Sequence, residues 1–163
     1  MDWDTGARRP VATLRAMTRR SGESVSTAEP PQRLKRLRVV VADDDRDTAL
    51  TLAMILGEEG HDARAVYAGR NVMGAVLDFD PDVVVLDIHM PGLSGWEVAR
   101  TIRDRRGKER PLLIGISGEY KMGADKILSE ILGFDHYLLK PCEPRTVLAL
   151  LEPLRTPVQT SLL

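Results

Sequence analysis

Val83-Val84-Val85-Leu86-Asp87 is the stretch whose reading decides the fold. Four apolar residues, three of them β-branched, run without a break into a carboxylate. A run this short and this apolar suits a strand covered on both faces, as in a parallel sheet. The aspartate that ends it then has a buried backbone and a side chain at the rim. Met90-Pro91-Gly92 sets a turn just behind it, and Gly95 follows.

The same pattern recurs on either side. Residues 37–42 are apolar except for Arg38 and end in Asp43-Asp44-Asp45. Ala49, Leu52, Ala53 and Leu56 keep helical spacing, and Gly57 and Gly60 close that segment. A weaker strand is expected over 63–67 and a short helix over 72–79. Beyond Asp87, Trp96, Val98, Ala99 and Ile102 mark a helix that gives way to the charged run 104–110. A fourth strand is predicted over 111–116, ending at Ser117. A helix over 122–132 stops at Gly133, a fifth strand over 136–139 ends at Lys140-Pro141, and a last helix covers 147–154. Strand and helix alternate five times. The expected class is therefore α/β: a five-stranded parallel sheet, doubly wound, with helices on both faces.

Composition narrows the function. Of 163 residues, 43% are apolar, enough for one ordinary domain plus a tail. No stretch is long and apolar enough for a membrane span. The charged first 20 residues lack a secretory h-region. Cys142 is the only cysteine, which fits a reducing, cytoplasmic setting and excludes an internal disulfide. Residues 1–38 hold nine Arg/Lys against four Asp/Glu, and the remainder is net acidic. Residues 1–35 read as a basic, disordered extension or linker, with a short helix expected over 11–18. They lack interleaved aromatics beyond Trp3, so nucleic acid is not the expected partner.

In open parallel sheets the functional edge is the carboxyl one. Strand one ends in Asp43 and Asp44, strand three in Asp87, strand four in Ser117 and strand five in Lys140. Clustered carboxylates repel unless a cation neutralises them, and an all-oxygen set suits Mg²⁺. Asp44 and Asp87 are the expected direct ligands, Asp43 acts directly or through water, and a carbonyl just after Asp87 completes the set. Asp87 can attack a phosphoryl group to form an aspartyl phosphate. Lys140 supplies an ammonium, and Ser117 a hydroxyl, to the same group. The Lys140–Pro141 bond is a candidate cis peptide. Tyr137, on the short fifth strand, is expected to be partly exposed.

Taken together, Ala42-Asp43-Asp44-Asp45, the segment 83–92, Gly115-Ile116-Ser117-Gly118 and Tyr137-Leu138-Leu139-Lys140-Pro141 resemble the receiver domain of bacterial response regulators. The resemblance covers about residues 37–154. It implies a flavodoxin-like sheet of order 2-1-3-4-5 and a domain over 36–155, with 156–163 as a short tail. It also implies a histidine kinase or phosphotransfer protein as phosphodonor to Asp87 with Mg²⁺, and a protein target downstream. Asp43 and Asp44 match the acidic pair, and the carbonyl of His89 a third ligand. Ser117 and Tyr137 match the switch pair, and Lys140 the phosphate-binding lysine. Activation would change the surface around the fourth and fifth helical segments, with homodimerisation as one outcome. The run 118–122 departs from the family's usual small, Pro-containing loop.

Rival classes fit less well. A haloacid-dehalogenase-type phosphatase wants an aspartate two residues after its nucleophile, where His89 stands. No G-x-G-x-x-G, P-loop or G-x-S-x-G motif occurs. The expectation is a phosphoacceptor rather than a dedicated turnover enzyme, acting as a single-domain regulator. The alternatives are a receiver cut from a hybrid kinase and a phosphorylation-independent adaptor.

Overall fold

The computed structural model describes residues 34–118, 131 and 133–157. The helices expected over 11–18 and 122–132 lie outside the described residues, Ile131 excepted. Five parallel strands form one sheet: β1 (Arg38–Ala42), β2 (Asp62–Val66), β3 (Val83–Asp87), β4 (Leu112–Ser117) and β5 (His136–Leu139), in the order β2-β1-β3-β4-β5. Four helices are described: α1 (Arg46–Glu58), α2 (Gly69–Phe79), α3 (Gly95–Arg106) and α4 (Pro144–Leu151), the last running into a 3₁₀ turn at Glu152–Leu154.

Strand alternation divides the apolar residues between two cores. Val40, Ala42, Val84 and Leu86 face Val72, Val76, Val98 and Ile102 of α2 and α3. Val39, Val41, Val83 and Val85 face Leu52, Leu56, Val147 and Leu151 of α1 and α4. Each fully buried Val or Leu contributes about 1.5–3 kcal/mol of burial, so the central strands are the least removable part of the fold. Every residue of β3 is buried, as its unbroken apolar run requires.

Local chemistry sets the helix starts. The Asp45 carboxylate caps α1 by accepting from the N–H groups of Asp47 and Thr48, both at 3.0 Å. Ser94 and Glu97 form a capping box at the start of α3. Helix α2 begins earlier than its apolar spacing indicated, because Gly69 enters it buried against the Leu93 backbone, with no room for a β-carbon. Helix α4 also begins earlier, with Pro144 in its first turn, where its missing N–H costs nothing.

Candidate functional site

Four strand ends meet at the carboxyl edge. Asp43 follows β1 and is 5% exposed; its backbone N–H donates to Val66 and its Oδ1 accepts from the Asp45 N–H at 2.9 Å. Asp44 is exposed beside it. Asp87 ends β3 and is also 5% exposed. Ser117 ends β4 and is fully buried. Lys140 follows β5 and is anchored by its N–H donating to the Ser117 carbonyl at 2.7 Å. Its peptide bond to Pro141 is cis.

The charges converge on one point. Lys140 Nζ lies 2.9 Å from Asp43 Oδ2 and 3.2 Å from Asp87 Oδ1. One carboxylate oxygen each from Asp43, Asp44 and Asp87 lies within 4.8 Å of the others. Burial pushes the Asp87 pKa up and the charge of Asp43 pushes it further, more than Lys140 pulls it back. For Lys140, burial works to lower the pKa; the hydrogen bond and charge of Asp43, then Asp87, outweigh it and hold the ammonium protonated. One lysine between two buried carboxylates leaves the cluster short of positive charge. Hard oxygen donors with a charge deficit suit a divalent cation of the Mg²⁺ type.

The frame around Asp87 is tight. The Ile88 N–H donates to Ile116 and the Gly95 N–H to Ile88, so the turn after Asp87 is pinned to β4 and α3. A β-carbon at Gly95 would collide with the Asp87 carbonyl oxygen, so glycine there lets α3 begin directly against the site. An open cleft of about 770 Å³ runs from Asp43, Asp87 and Lys140 between α1 and α4, past Thr48, Leu52 and Pro141.

A family model for the response regulator receiver domain matches residues 39–152. The chain belongs to that family. Receiver structures share its fold. The CheY-like receiver domain protein from Methanospirillum hungatei JF-1 is 21% identical, with a TM-score of 0.67, covering 73% of this chain and 93% of that one. The receiver domain of Francisella response regulator 1452 is 26% identical, with a TM-score of 0.67 and coverage of 73% and 96%. The BeF3-activated N-terminal receiver domain of Klebsiella pneumoniae RstA is 26% identical, with a TM-score of 0.64 and coverage of 71% and 96%.

In this receiver the residues singled out from sequence divide into three groups. Asp43, Asp44, Asp87 and Lys140 come together directly. Ser117 and His89 form a second pair beside them, with Oγ and Nδ1 3.4 Å apart. Tyr137 is half-buried and belongs to an aromatic cluster: it stacks on Trp96 with centroids 5.8 Å apart, and Trp96 meets Phe134 edge-on at 5.4 Å. In the sequence Trp96 reads only as a marker of the helical face. Its stack on Tyr137 arises from tertiary contact, which helical spacing does not signal. Among the described residues no helix is long and apolar enough to cross a membrane.

Proposed function

We propose that this receiver accepts a phosphoryl group on Asp87 in the presence of Mg²⁺, from a histidine kinase or histidine phosphotransfer protein, and thereby switches a protein-binding surface. The observation that carries the reading is the ammonium of Lys140 held between the buried carboxylates of Asp43 and Asp87. Asp43, Asp44 and Asp87, with the carbonyl of His89, would hold the Mg²⁺, which neutralises the acidic cluster and the incoming phosphoryl oxygens. An Asp87 carboxylate oxygen forms the new O–P bond as the P–N bond of the donor phosphohistidine breaks. The electron pair of that bond stays on the donor imidazole. Lys140 pairs with a phosphoryl oxygen, and Ser117 offers its hydroxyl to another. Tyr137 follows Ser117 and carries the change to the surface. The role is that of a phosphoacceptor in a cytoplasmic phosphorelay, not of a dedicated turnover enzyme.

Intact-mass analysis after incubation with acetyl phosphate and Mg²⁺ tests it. The wild-type chain gains one phosphoryl group, about 80 Da, and Asp87→Asn gains none. An unmodified wild type under saturating donor ends the proposal. EDTA present from the start of the incubation prevents the adduct from forming if the metal is required.

A further inference from the structure

At the other edge of the sheet lies a buried titratable group that the phosphoryl chemistry does not use. His61 sits in the turn between α1 and β2, just after Gly60, whose φ is 89°. Its N–H donates to the Leu56 carbonyl, and the residue is 1% exposed. Neither ring nitrogen has a hydrogen-bond partner among the described residues.

Beside this turn runs a strap made by residues 152–157. Arg155 lies against Gly60, with its Nε buried and likewise without a partner, and its Nη1 is 3.3 Å from Glu152 Oε1. Beyond it, the Lys35 N–H donates to the Thr156 carbonyl at 2.9 Å, and Leu34 pairs with Pro157 in an antiparallel bridge. The strap therefore clasps residues 34 and 35, where residues 1–33 join the described domain. The charged groups that face the imidazole are Arg155 and Glu152 from the strap, Glu59 from the end of α1 and Arg36 from the entering segment.

We propose that His61 makes this clasp acid-labile, so that the strap and the residue 34–35 segment separate together when the imidazole takes up a proton. A buried imidazolium beside Arg155 and Arg36 is opposed by desolvation and by two like charges, with only Glu152 and Glu59 to offset them. Burial, then Arg155, hold the ring's pKa below 6.5 in the closed form. In the open form the ring is hydrated and titrates near its ordinary value of about 6.5. Between those two values the open form binds one more proton than the closed form. Opening then becomes more favourable as pH falls, with a limiting slope of about tenfold per pH unit.

Amide hydrogen exchange of the full chain by NMR tests this, with each rate divided by its intrinsic value at the same pH. The Lys35 amide keeps constant protection from pH 7.5 to 6.5 and loses it below, approaching tenfold per unit. The Val84 and Val85 amides of β3 stay protected throughout. In His61→Leu the Lys35 protection is flat over the whole range. Constant Lys35 protection in the wild type overturns the proposal, as does an equal loss in the variant. Parallel loss at Val84 also overturns it, because the opening is then global. Should His61→Leu fail to fold, ring-proton titration of the wild type decides: a midpoint below 6.5 is expected, and one at or above 6.5 overturns the clasp.

Discussion

Asp82 and Asp87 stand at the two ends of one strand, are buried almost equally at 6% and 5% exposure, and behave oppositely. Asp82 immediately precedes β3. Its carboxylate accepts from Lys35 Nζ at 2.8 Å and from the Arg38 N–H at 2.9 Å, and Arg110 is 3.2 Å away. Burial works to raise its pKa, but the hydrogen bonds of Lys35 and Arg38 and the charges of Lys35 and Arg110 leave it lowered. Asp87 ends β3 with one cation, shared with Asp43, and its pKa is raised. Burial alone therefore says little about a carboxylate's role. The donors that reach it decide: a satisfied carboxylate fastens the fold, and an under-compensated one is poised to take a cation or an electrophile.

The largest break in this comparison is at Lys140. Lys140→Met keeps the length of the side chain and removes the only ammonium paired with Asp87 among the described residues. Loss of one preorganised electrostatic partner costs about 10²–10³ in rate, and phosphorylation by acetyl phosphate should slow by that factor. Stopped-flow or mass-resolved time courses measure it. A rate within threefold of wild type, roughly 0.6 kcal/mol, would show that Lys140 is not part of the transfer.

The next effect falls on the satisfied end. Asp82→Ala leaves the Arg38 N–H without its acceptor and removes the partner of Lys35 and Arg110. Lys35 is 36% and Arg110 64% exposed, so their shares are screened by water and the buried N–H carries most of the loss. The expected destabilisation is about 2 kcal/mol in urea unfolding, with the slope unchanged. A change below about 0.5 kcal/mol would place Asp82 among ordinary surface carboxylates.

Both ends of β3 were unequally legible in the sequence. Asp87, Asp43 and Lys140 could be found because parallel strands place their final residues on one edge, and the strand runs were apolar enough to delimit. The two-sided core followed from the same runs. Asp82 gave no such signal: its donors lie 47, 44 and 28 positions away, and nothing in local spacing brings Lys35 or Arg110 to it. His61 was invisible for a related reason, since Arg155 and Glu152, whose charges act on it, come from the far end of the domain. The Trp96–Tyr137 stack also needs tertiary contact, joining α3 to β5. Helix starts shifted at Gly69 and Pro144 because a close backbone approach and a proline in the first turn do not register in apolar periodicity.

The smallest effect sharpens the comparison most, because it reverses sign. Asp87→Asn removes a charge whose burial beside Asp43 is unfavourable. The folded pKa of Asp87 is raised above the ordinary 3.8, so its ionisation lowers stability as pH climbs from 3.8 through the folded value, and the full cost is present above that value. Asp82 has a lowered folded pKa, so its contribution is present above 3.8 and is lost as pH falls through the folded value. In EDTA at pH 7, Asp87→Asn should therefore raise Tm by a few degrees, whereas Asp82→Ala lowers it. Below 3.8 the advantage of Asp87→Asn should vanish, since the wild-type carboxyl is then protonated in both states. Millimolar Mg²⁺ should narrow the gap at pH 7 by stabilising the wild type more than the variant. Thermal scans at three pH values, with and without Mg²⁺, check all of this. A lower Tm for Asp87→Asn in EDTA at neutral pH would mean that Lys140 already compensates Asp87 in full, and the contrast between the two ends of β3 would collapse.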